Sequence, residues 1–77
     1  MAREDTGALD ASARRVLAVH GGDAARIEAL VGDLQRLRDE ADRVAFQEPS
    51  PEALREYRRT SRELADAQRA FAMATGR

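Results

Sequence analysis

The side chains in this chain that could do chemistry are few, and their spacing limits what they can do. His20 is the only histidine, and there is no Cys, Lys or Trp. A carboxylate–His metal site on a helix needs an acid three or four residues from the histidine on the same face. The nearest acids, Asp10 and Asp23, do not supply one, since Asp23 lies beyond the break at Gly21-Gly22. His20 therefore reads as a packed or capping residue. Ser12, Ser50 and Ser61 have no histidine placed to activate them and fit caps or small surface positions. Gly21-Gly22-Asp23 could suggest a phosphate loop, but it lacks a preceding strand and the Lys-Ser/Thr pair that gives such loops their specificity. It reads as a turn. Without thiols, disulfides and thiolate metal sites are excluded. The expectation is a protein with no catalytic residue, no metal site and no cofactor, and not an enzyme.

What the elements must position, then, is a surface. The 77 residues make one domain, 1–77, and 16 of the apolar residues are Ala. The larger ones are seven Leu, four Val, one Ile, two Met, two Phe and one Tyr. A chain this short with so few bulky groups is marginal alone and gains stability from a partner or from self-association. No apolar run reaches the ~18 residues of a membrane span. No apolar signal segment follows Met1-Ala2-Arg3-Glu4-Asp5, so the expected location is the cytoplasm, with no membrane role.

The charge is abundant and nearly balanced, 13 Arg against 14 acids. The basic residues are interleaved with acids and have no aromatic platform, which argues against a nucleic-acid partner. Residues 28–43 are net acidic and residues 51–77 net basic, a modest encouragement for the two segments to lie side by side. Opposite charges at i,i+4 predict Arg36/Glu40, Arg38/Asp42 and Asp39/Arg43 pairs.

The organising stretch is Gln47-Glu48-Pro49-Ser50-Pro51. Pro49 disfavours helix at Glu48, Ser50 is a good N-cap, and Pro51 suits the first helical position. It separates two segments of helical period, about 23–46 and 51–75, and a joint that short makes them antiparallel neighbours. Upstream, Asp10 caps a short helix over about 10–20, ended by Gly21-Gly22 with a left-handed C-cap. Residues 1–8 have no period and are expected to fray. The predicted fold is all-α, a short N-terminal helix followed by a long antiparallel helical hairpin.

In the second helix Asp23 is the cap, and Ile27, Leu30, Leu34, Leu37, Ala41 and Val44 form a 3,4 seam facing a partner helix. Gly32 either exposes backbone harmlessly or admits a close helix. In the third, Tyr57, Leu64 and Phe71 are seven apart, extended by Leu54 and flanked by small or polar residues. Two rows of small residues can admit a neighbour on each side. Phe46 and Met73 fall off these stripes.

With these elements on hand, residues 16–74 resemble the small needle-chaperone E family of type III secretion systems. The similar parts are Leu17 to Ala25, then Leu30, Leu34 and Arg38, then Pro51-Glu52-Ala53-Leu54-Arg55-Glu56-Tyr57 and Arg62-Glu63-Leu64-Ala65. The resemblance implies a cytosolic bacterial co-chaperone that stabilises a helical-repeat chaperone holding a needle subunit. The expected partner-binding residues are Val16 and Leu17 on the first helix, and Val31, Tyr57, Leu64 and Phe71 on the stripe edges. A self-associating hairpin, two copies making a four-helix bundle, satisfies the residue pattern without any family.

Overall fold

A computed structural model of the chain describes residues 2–76, with side chains from residue 11 onward. It is all-helical: α1 (Ala2–Val19), α2 (Ala24–Gln47) and α3 (Pro51–Ala74). The punctuation works as the residue types require. His20 closes α1, and Gly21 and Gly22 both take left-handed φ, +62° and +70°. The Gly22 N–H donates to the Leu17 carbonyl at 2.9 Å and the Gly21 N–H to that of Ala18 at 3.1 Å, a Schellman stop. Asp23 caps α2, its carboxylate accepting from the Ala25 N–H at 2.9 Å. Ser50 caps α3 through the Ala53 N–H at 3.1 Å, with Pro51 in the first turn.

One boundary departs from the sequence reading. α1 begins at Ala2, so Asp10 lies inside the helix and not at its start, and the stretch expected to fray is helical backbone from Ala2 onward. Met1 lies outside the described residues. The helix start was placed late because the reading required an apolar period, whereas a run without Pro can extend a helix already nucleated downstream.

Packing is set by α3, which lies against both other helices, while α1 and α2 barely touch each other. Ile27 meets Ala70, Leu34 meets Leu64, and Val44 lies near Ala53, so α2 and α3 run antiparallel. Two small cores result. Ala13, Ile27 and Ala70 form one, ringed by Val16, Leu17, Val31, Phe71, Met73 and Ala74. Leu34, Leu64 and Ala67 form the other, with Leu30 and Val31 beside them. Met73, off the stripe in the sequence, thus packs at the end of the fold.

The seam is narrower than its period suggested. Ile27, Leu34 and Ala41 are buried, but their alternates run outward, with Leu30 half-buried, Leu37 58% exposed and Val44 41% exposed. On α3 the buried row is largely small, Thr60, Ala67 and Ala70 around Leu64, and Leu54 stands in solvent. Small residues bring the helix axes together, and a close pair of helices covers only a narrow strip of each.

The ion pairs also differ from those expected. Arg36 pairs with Asp33, Arg43 with Glu40 and Arg59 with Glu56, all i,i+3, while Arg38 reaches Asp39. Arg36 has an acid at i−3 and another at i+4, both within helical reach, and it takes the nearer turn.

Candidate partner-binding groove

The residues singled out in the sequence do not form one exposed patch. Val16, Leu17, Val31 and Phe71 are half-buried around the first core, and Leu64 is buried in the second. Tyr57 is half-buried on α3. Most of this apolar surface is already used by the chain's own helices.

Exposed Leu37 and Val44 continue half-buried Leu30 in one line along α2, while Val19, Phe46 and Leu54 are exposed elsewhere. Seven-residue spacing keeps Leu30, Leu37 and Val44 on one side of α2. Two hollows follow that line. The upper one, about 280 Å³, is lined by Ser12, Arg15 and Val16 of α1, Leu30 and Leu34 of α2, and Glu63 and Asp66 of α3. The lower one, about 210 Å³, is lined by Leu37, Glu40, Ala41 and Val44 of α2 with Ala53 and Glu56 of α3. Leu34 and Leu37 are one turn apart, and Glu56 and Glu63 two turns, so the hollows are consecutive parts of one groove along the hairpin. α1 borders only its upper part.

The groove has an apolar floor and a mainly acidic rim. Glu40, Glu56, Glu63 and Asp66 line it against a single cation, Arg15, among the described lining residues. On the outer side of α3, Arg55, Arg58, Arg59 and Arg62 border a separate hollow, which Glu63 and Asp66 also line. Arg59 reaches from that side to Glu56 of the groove rim. Its guanidinium donates to Glu56 at 2.9 Å, and that bond, with the charges of Glu56 and Glu63, raises its pKa further above the ordinary arginine value.

The candidate chemical groups are in structural use. His20 donates from Nδ1 to the Val16 carbonyl at 2.8 Å, and because a carbonyl only accepts, Nδ1 carries the proton. Ser50 is a cap, as above. Ser61 is directed inward and its hydroxyl has no hydrogen-bond partner among the described residues. Among the described residues no cluster of His, Cys, Asp or Glu is arranged to hold a metal ion, and no helix is long and apolar enough to cross a membrane.

The exposed members of the groove line that sequence reasoning missed are Leu37 and Val44, which the 3,4 period assigned to the hairpin seam. The available signal was the row of small residues on α3, which cannot reach across to both alternates of α2. Comparison with protein-family models, with curated proteins and with solved structures found no match.

Proposed function

We propose that this protein is a non-enzymatic binding module that acts by completing a helical assembly with another protein. The role suggested by the family resemblance is that of a cytoplasmic secretion co-chaperone, stabilising a helical-repeat chaperone that holds a needle subunit. The observation that carries the binding reading is the amount of surface left open. The accessible area is 5850 Å². A compact monomer of this mass exposes roughly 4,700 Å². The excess exceeds the ~800 Å² that each partner loses in a standard interface. The molecule is also flat, 40 × 33 × 18 Å, so its three helices do not close into a rounded bundle.

The test is co-expression with the products of adjacent genes, followed by light scattering and thermal unfolding. A 1:1 complex with a helical-repeat protein, melting above the isolated chain, supports the co-chaperone role. A stable homodimer that takes up no other protein overturns it and leaves the self-associating bundle.

A further inference from the structure

The binding-module reading leaves open which surface receives the partner and what that partner's chemistry is. We infer that the groove along Leu30, Leu37 and Val44 receives a single amphipathic helix of another protein, one whose apolar stripe is flanked by Lys or Arg. The inference rests on the proposed function and deepens it.

Three features fix the occupant. The first is length. Leu30 to Val44 covers about 21 Å at 1.5 Å per residue, room for a helix of roughly four turns. The second is the 3,4 pattern of the floor, Leu30, Leu34, Leu37, Ala41 and Val44, of which Leu34 and Ala41 are shared with α3 and the others open outward. Such a strip accepts apolar residues at i, i+3, i+4 and i+7 of an incoming helix. The third is charge. Glu63 and Asp66 flank the upper part and Glu40 and Glu56 the lower, where each holds an arginine of its own helix in an exposed pair that a basic flank can displace at little cost.

A second copy fits less well. Two-fold antiparallel pairing of α2 centred on Leu37 brings Asp33 of one copy beside Glu40 of the other, twice. Each of these acids already holds an arginine of its own helix, Arg36 and Arg43, so the contact gains no charge pair from the second copy. The Arg side of α3 carries Glu63 and Asp66 beside Arg55, Arg58, Arg59 and Arg62, and the large apolar side chain among its lining residues is Leu54 by the joint, too short a strip to fill the floor.

The probe is a labelled synthetic peptide of about 18 residues, with Leu at 3,4 spacing and Lys at the flanking positions, long enough to span the groove. Its counterparts carry Glu flanks, or the same composition scrambled. The expected result is saturable binding of the Lys-flanked helix, weakened about tenfold or more by Leu37→Glu and by Glu flanks on the peptide. Because Leu37 is more than half exposed, Leu37→Glu should keep the helical circular dichroism, and this is checked on the same sample. Glu63→Gln with Asp66→Asn should weaken the Lys-flanked peptide and leave the helicity unchanged.

Equal binding of Lys- and Glu-flanked peptides overturns the charge assignment. Equal binding of the scrambled peptide, or none at all, overturns the groove. A homodimer dissolved by Leu37→Glu assigns the groove to a second copy and overturns the heterologous occupant. A co-expressed complex that survives Leu37→Glu sinks this inference alone, since the binding-module reading then stands on another surface.

Discussion

Thr60 and Ser61 are adjacent hydroxyl residues on α3 with opposite consequences. Thr60, 3% exposed, donates from Oγ1 to the Glu56 carbonyl at 2.8 Å, so its burial carries no unpaired polar atom. Ser61 buries its Oγ without a partner among the described residues. An unpaired buried hydroxyl forfeits its hydration, so Ser61→Ala should stabilise the fold by about 1 kcal/mol, measured by urea unfolding. An unchanged midpoint would mean that the hydroxyl is hydrated in solution. Gly32 is a second such position. An added Cβ there meets nothing within 4 Å, so no helix of this chain approaches it and the glycine only weakens α2. Gly32→Ala should raise stability by about 1 kcal/mol. If the same change weakens capture of a partner, Gly32 serves a close approach from outside the chain. The caps at Asp23 and Ser50 and the Gly21-Gly22 stop were readable because each is decided by local backbone geometry. The i,i+4 ion pairs were not, because a long arginine chooses among acids on several turns.

At the scale of the helices, α3 is the element the others depend on. Its buried row of Thr60, Ala67 and Ala70 sets how near α1 and α2 can come. Ala67 is fully buried beside Leu34 and Leu64. Ala67→Leu forces extra methylenes into that contact and should destabilise by about 1–3 kcal/mol. Deleting volume is worse in kind: Leu64→Ala should cost about 2–5 kcal/mol, enough to unfold much of a chain this small. Thermal melts of the two variants separate overpacking from cavity loss, and no change in either would mean that this contact is absent. The existence of the hairpin was legible in the Pro joint and in two periodic segments of nearly equal length. Which side of the period faces inward was not. A 3,4 stripe marks two adjacent lines on a helix, and only the width of the opposing surface decides whether both are covered. Here the opposing surface is small, so Ile27, Leu34 and Ala41 go in while Leu37 and Val44 stay out.

In the whole molecule, burial is unequal from end to end. Both cores lie toward the end where α1 docks, and Ile27 is the one large side chain with no exposed area among the described residues. At the Pro joint the buried set is reduced to Ala41 with half-buried Ala45, Ala53 and Tyr57, while Leu54 is 43% and Phe46 86% exposed. A segment with little apolar burial opens locally at a lower free-energy cost than one holding the core. Amide hydrogen exchange should therefore be slowest over Ile27–Leu34 and Leu64–Ala70 and faster over Val44–Gln47 and Ala53–Tyr57. A Leu64→Ala variant should lose protection everywhere, because Leu64 belongs to the core through which the slowest amides exchange. Leu37→Glu should leave the slow set unchanged, since Leu37 is mostly solvated. A helix bound in the groove covers Leu37 and Val44 and should slow exchange first at the joint end, where the chain has least of its own packing. Uniform protection along both long helices in the isolated chain would contradict this polarity, and with it the physical reason for the joint end to gain most from an added helix.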